Sequence, residues 1–168
     1  MTRLGASVGS FLFFLVAPGV VAGVAPWWIS GWQMRPPFLG WQSLRVAGVA
    51  LIALGAPALL DSFVRFALQG RGTPAPVLPT EHLVMTGLYR FVRNPMYVGV
   101  LSVILGQGLL LGDTRVLEYG AVVWLAFALF VIGYEEPTLR RTFGEEYERF
   151  CANVPRWIPR LRPWQGVK

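Results

Sequence analysis

The sequence predicts an all-α integral membrane protein: about four transmembrane helices plus a C-terminal amphipathic helix, with both termini cytoplasmic. Three observations predict it. The chain of 168 residues is 54% hydrophobic and only 14% charged, with a mean hydropathy of +0.50, whereas a soluble domain carries about 25% charged residues. Four apolar stretches approach or exceed the roughly 20 residues that a bilayer crossing needs. The bases are divided unevenly among the segments that join them: with the N-terminus inside, twelve of the fifteen fall on the cytoplasmic side and three, Arg35, Arg45 and Arg115, on the outer side. That asymmetry is what the positive-inside rule requires.

The expected spans, within a single membrane domain over 1–168, are 7–28, 44–66, 95–112 and 116–134. The first has no charge between Arg3 and Arg35. A signal peptide is its rival, but the stretch is long, weakly basic at its start, and offers only Ala22-Gly23-Val24-Ala25 as a loose cleavage match. Asp61 and Arg65 stand i,i+4 near the inner end of the second span and read as a mutually neutralising pair. Trp27, Trp28, Trp32 and Trp41 are placed at the outer interface, and Trp157 and Trp164 at the inner one. Gly19/Gly23, Ser102/Gly106 and Gly108/Gly112 repeat at the four-residue spacing that lets helices approach closely in lipid, although glycine is also simply common in membrane helices.

Two polar segments carry more information. Residues 70–94 begin with a proline-rich, extended lead-in through Thr73-Pro74-Ala75-Pro76 and Pro79. The segment turns around Thr86-Gly87 and ends with Asn94 as N-cap and Pro95 as first residue of the third span. Residues 135–163 place Leu139, Phe143, Tyr147, Phe150 or Cys151, and Val154 on one helical face. Arg141/Glu145 and Glu145/Arg149 are candidate i,i+4 pairs worth ~0.3 kcal/mol each. Such a helix lies on the membrane surface or folds back over the bundle. The adjacent acids Glu135 and Glu136 sit where the fourth span ends, and ionisable groups at that depth are functional candidates. Acids at a helix start, which Pro137 marks, are also favoured by the helix dipole alone.

Taken together, Gly87-x-Tyr89-x-x-x-Arg93-Asn94-Pro95-x-Tyr97-x-Gly99 resembles the GxYxxxRHPxYxG signature of isoprenylcysteine carboxyl methyltransferases and their phospholipid methyltransferase relatives. Glu135-Glu136-x-x-Leu139-x-x-x-Phe143-Gly144-x-x-Tyr147 resembles the same family's EExxLxxxFGxxY segment, and Val154-Pro155 through Pro159 fits its tail. The match runs from about Pro74 to Pro163. The resemblance implies an enzyme that transfers methyl groups from S-adenosyl-L-methionine to a lipophilic acceptor. The expected location is a bacterial inner (cytoplasmic) membrane, with the active site facing the cytoplasm. It makes 70–94 a cofactor loop and 135–163 a cofactor-capping segment. Carried over by position, the cofactor-binding residues are Glu81, His82, Leu83, Val84, Tyr89, Asn94, Pro95, Met96, Tyr97 and Glu135. The catalytic set is Arg93, Asn94 and Glu135, with Arg93 bracing the loop against Glu135 or Glu136.

Three positions depart from the pattern. Asn94 replaces a histidine and can donate and accept hydrogen bonds but cannot titrate near neutrality. Val131 stands where the prenylcysteine enzymes carry an arginine suited to a substrate carboxylate, which weakens prenylcysteine as acceptor. Pro137 implies a local bend. The chemistry fits the setting: displacement at a sulfonium methyl needs donor and acceptor collinear at about 3 Å, so orientation dominates. A polar donor arriving from water and a lipid acceptor arriving from the bilayer meet most simply at the membrane surface.

Other features exclude competing classes. One histidine and one cysteine supply no metal set, and no GxGxxG or P-loop is present. The bases lie between apolar runs, which argues for lipid headgroups over nucleic acid, and no obligate protein partner is evident. His82 reads first as a structural or solvated loop residue and second as a base; Cys151 reads as a packing thiol. The alternatives are a membrane NADPH-dependent reductase of related fold and a non-catalytic membrane scaffold.

Overall fold

A computed structural model describes residues 16–69 and 83–166. Glu81, His82, the proline-rich lead-in and the start of the first expected span lie outside the described residues. Within them the secondary structure is helical, without a strand. Helix α1 is Val16–Ser30, α2 Gln42–Gln69, α3 Pro95–Leu111, α4 Thr114–Phe143 and α5 Glu145–Asn153. Single 3₁₀ turns occur at Phe38–Gly40 and Gly87–Arg90.

Proline shapes two of these helices. Pro26 has no N–H to offer the Ala22 carbonyl, and the ladder widens into a π turn over Val20–Val24, with Ala25 N–H bonded to Val20 O. Neighbouring helices use the released carbonyls: Gln107 Nε2 donates to Ala22 O at 2.7 Å and Tyr119 OH to Val21 O at 2.9 Å. These bonds tie α1 to α3 and α4. Pro137 acts in the same way in α4, where Val131–Glu135 is a π turn closed by Glu136 N–H on Val131 O. The bend expected at Pro137 therefore takes the form of one inserted residue within a helix that continues to Phe143.

The main packing seam joins α2 and α3, backbone to backbone. A Cβ on Gly106 would lie 2.7 Å from Gly48 O, and one on Gly55 would lie 2.7 Å from Ser102 Cβ. Such positions exclude any larger residue. Ser102/Gly106 thus supplies one side of the seam, as its spacing predicts, and Gly48 and Gly55 supply the other. Gly19 and Gly23 meet nothing within 4 Å, so that pair is not a packing motif among the described residues.

Segments Gln42–Arg65 and Thr114–Phe143 are long and apolar enough to cross a membrane, and only 17% and 22% of their most apolar windows is buried inside the protein. Leu54, Val46, Val122 and Leu129 are all exposed. Apolar surface on this scale needs lipid as its solvent, so this is a membrane protein. Helices Val16–Ser30 and Pro95–Leu111 are apolar but shorter.

At the end of the bundle where α3 turns into α4, Asp113 is fully buried. It caps α4 by accepting from Arg115 N–H at 3.0 Å and pairs with Arg115 at 2.8 Å and Arg35 at 3.1 Å. The Arg115 hydrogen bond, foremost, holds its carboxyl below the usual range against the opposing effect of burial.

The C-terminal segment differs from the single amphipathic helix that its periodicity predicts. The chain breaks at Gly144, whose φ of +50° suits glycine, resumes as α5, and continues as an extended tail. Leu139, Phe143, Tyr147, Phe150 and Val154 nevertheless form one apolar cluster with Val84 and Tyr89. The break changes helix direction without removing side chains from the shared core. The expected arginine pairs shift with it: Arg140, not Arg141, pairs with Glu148 at 2.8 Å, and Arg149 reaches only the Glu145 backbone carbonyl. Trp164 packs on Phe150, ring centroids 5.8 Å apart, as a partly buried neighbour of this cluster.

Candidate active site between the start of α3 and the π turn of α4

The inserted residue of the π turn ends at two adjacent acids with different partners. Glu135 accepts a hydrogen bond from Tyr97 OH at 2.8 Å. Glu136 is buried and pairs with Arg93 at 3.0 Å and with Arg156 Nε at 2.6 Å; Arg140 stands at 3.5 Å. Of the two acids expected to brace Arg93, the structure selects Glu136. Arg93 also donates to Cys151 Sγ at 2.9 Å. Cys151 therefore belongs to a polar network and is not merely a packing thiol.

Asn94 occupies the N-cap position of α3, but its side chain makes no capping bond. Instead Nδ2 donates to Arg156 O at 3.1 Å, because the tail runs alongside. Arg93 N–H bonds Pro155 O, Arg160 N–H bonds Phe91 O and Trp164 N–H bonds Arg90 O, each at 2.9 Å. This stitching of the tail to 90–93 has no periodic signature in sequence. Its one trace is the proline spacing at 155, 159 and 163, which favours extended backbone.

Tyr89 lies in the turn that Gly87 opens with φ of +55°. Arg65, paired with Asp61 at 2.8 Å, fills the space that a Cβ at Gly87 would need. The Asp61–Arg65 pair is thus formed as expected and also packs against the turn. Tyr89 is buried and its hydroxyl has no partner among the described residues. Burial, followed by the charges of Glu135 and Asp61, pushes its phenol well above the usual range, so it stays a neutral donor. Leu83 and Val84 pack in the apolar cluster beneath α5.

Next to the polar groups lies an apolar cavity of about 130 Å³. Ala17, Pro18 and Val21 of α1 line it, with Leu59 and Phe63 of α2, Met96, Tyr97 and Val100 of α3, and Phe127 of α4. The Tyr97 ring packs on Phe127 with centroids 4.6 Å apart. Sequence reasoning placed Met96 and Tyr97 here but missed Phe63, Phe127, Arg156 and Cys151; no local motif marks them, since they meet only when the helices assemble. The geometry brings together Tyr97 with Glu135, and Arg93 and Asn94 with Arg156.

The family model for phospholipid methyltransferases matches residues 44–146. Among curated relatives, protein-S-isoprenylcysteine O-methyltransferase of Schizosaccharomyces pombe is 38% identical over 81 residues, covering 47% of this chain and 34% of that protein. Protein-S-isoprenylcysteine O-methyltransferase B of Arabidopsis thaliana is 32% identical over 136 residues, 79% of this chain and 60% of that protein. The Delta(14)-sterol reductase LBR of Gallus gallus is 30% identical over 83 residues, 47% of this chain and 13% of that protein. The chain thus covers about a third of the first of these methyltransferases and three fifths of the second. On the family match, which spans both acids and the whole of α3, the chain belongs to the phospholipid methyltransferase family.

Proposed function

We propose that this protein is a methyltransferase that uses S-adenosyl-L-methionine to methylate a lipophilic acceptor at the cytoplasmic face of a membrane, crossed four times by α1 to α4. The single observation that carries the reading is the double role of Tyr97. Its ring lines the apolar cavity while its hydroxyl is bonded to Glu135. A lipid tail and a polar nucleotide would meet at such a residue.

The residues present suit the cofactor. Tyr89 offers a buried hydroxyl with no partner among the described residues, which costs stability unless a ligand satisfies it. Glu135 supplies an acceptor for ribose hydroxyls or an amino group. Tyr89, Glu135 and the chain around Leu83 to Tyr97 would hold the cofactor, whose contribution is an electrophilic methyl on a sulfonium. Glu136, gripped by its arginines, keeps Arg93 and the tail in place, and Asn94 locks onto the tail backbone. The cavity receives the acceptor's apolar body and excludes water from its reactive end, so that catalysis comes mainly from orientation. Asn94 cannot serve as a base near neutrality, so an acidic acceptor would arrive already deprotonated. The arginine that suits a prenylcysteine carboxylate is replaced by Val131, which is buried; this favours acceptors other than prenylcysteine.

The test is transfer of a labelled methyl group from S-adenosyl-L-methionine to a membrane extract, followed by identification of the product. Label in a lipid-soluble product that disappears in Glu135→Ala supports the reading. In parallel, S-adenosylhomocysteine should stabilise the purified protein against heat and NADPH should not; the reverse pattern would favour a reductase.

A further inference from the structure

The extended tail after α5 holds apolar side chains away from the protein. Ile158 is 79% exposed and Leu161 is 99% exposed. Neither exposure reflects a loose chain, because Pro155, Arg160 and Trp164 are each fixed to the 90–93 strip by a backbone hydrogen bond. Between those fixed points the chain bends at 156–158 and again at 161–162, and Ile158 and Leu161 lie in those bends. The surrounding sequence is Arg156-Trp157-Ile158-Pro159-Arg160-Leu161-Arg162, so cations flank both side chains. Arg156 is engaged with Glu136 and Arg160 with the Asn153 carbonyl; Arg162 is exposed. No acidic residue occurs from 149 to the end of the chain.

From this juxtaposition of Ile158 and Leu161, fixed outward among arginines at the end of the bundle where α3 begins, we infer that the tail is a seat for an anionic phospholipid surface. The charge complementarity selects the occupant. Aliphatic tips enter the headgroup layer, and guanidinium groups match lipid phosphates. A second copy of this chain would bring its own arginines against these and would be repelled. Because the tail is stitched to Arg93 and Asn94, seating it also steadies the candidate site. That last consequence rests on the proposed function, whereas the lipid contact itself does not.

Hydrogen exchange of the full chain in nanodiscs, of phosphatidylcholine or of an equal mixture of phosphatidylcholine and phosphatidylglycerol, tests the seat directly. Each arginine at an anionic surface favours the seated tail about fivefold, so Arg160 and Arg162 together give about 30-fold slower exchange over 156–163 in the anionic disc. The triple variant Ile158→Ser, Leu161→Ser, Arg162→Gln should cut that difference to the roughly fivefold that Arg160 alone supplies, while melting at the same temperature, since all three side chains are exposed. Equal exchange in both discs would overturn the inference. So would protection that persists in detergent and grows with protein concentration, which would identify a second copy as the partner. The readout involves no methyl transfer, so its failure and the failure of the proposed function are distinguishable.

Discussion

Both ends of the bundle bury a carboxylate among arginines, yet the two clusters are built differently. Asp113 is held by Arg35 and Arg115, whose side chains are 45% and 50% exposed. Glu136 is held by Arg93 and Arg156, at 11% and 33%. Beside it stands Glu135, for which no cation partner exists among the described residues and whose bond is to a neutral tyrosine. The Asp113 cluster closes a turn and caps a helix. The Glu136 cluster joins a loop, a helix and the tail, and leaves the neighbouring acid uncommitted. Compensated acids serve the fold here; the uncompensated one is the acid that the proposed function assigns to the cofactor.

Breaking the grips should rank the two ends. Glu136→Ala leaves two largely buried guanidinium groups without a counter-charge and should cost about 3 to 5 kcal/mol of stability, read by thermal or denaturant unfolding in detergent. Gly106→Leu, in the seam that serves both ends, forces α2 from α3 and should cost about 1 to 3 kcal/mol by the same measurement. Asp113→Asn should cost less, about 1 to 2 kcal/mol, because its arginines can be rehydrated and asparagine still caps the helix. A larger loss at Asp113 than at Glu136 would break the comparison. Acid sharpens it further. The Asp113 carboxyl is depressed in the folded state, so its contribution is complete above the ordinary carboxylate value of about 4 and is lost as pH falls through the lower folded value. Melting curves of Asp113→Asn should therefore converge with those of the parent protein as the pH is lowered.

Much of this was legible in the residues, for reasons that also explain the gaps. Helix positions followed from runs of apolar residues, and Tyr97 and Glu135 were assigned to one site because two signatures bracket a helical hairpin; that their side chains bond each other across 38 positions was not read from the sequence. The break at Gly144 was hidden because α5 and the end of α4 bury their apolar faces in one cluster, so the periodic pattern continues across a change of direction. Gly48 and Gly55 escaped notice because they are seven residues apart, a spacing that marks a face only once the partner helix is known. The π turn at Val131–Glu135 was foreshadowed by Pro137 as a bend, but its consequence, that Glu135 and Glu136 take different partners, depends on the inserted residue. Arg156 could not be assigned to Glu136 from sequence, since 20 residues and two changes of backbone direction separate them.

The most direct measurement is calorimetric titration of S-adenosylhomocysteine into the parent protein and Glu135→Gln, with melting temperatures recorded for both. A hydrogen bond to a charged group contributes about 1.5 to 3 kcal/mol, so the account predicts affinity weakened about 10- to 150-fold at an unchanged melting temperature. Equal affinity in the two proteins would contradict it and remove Glu135 from the site.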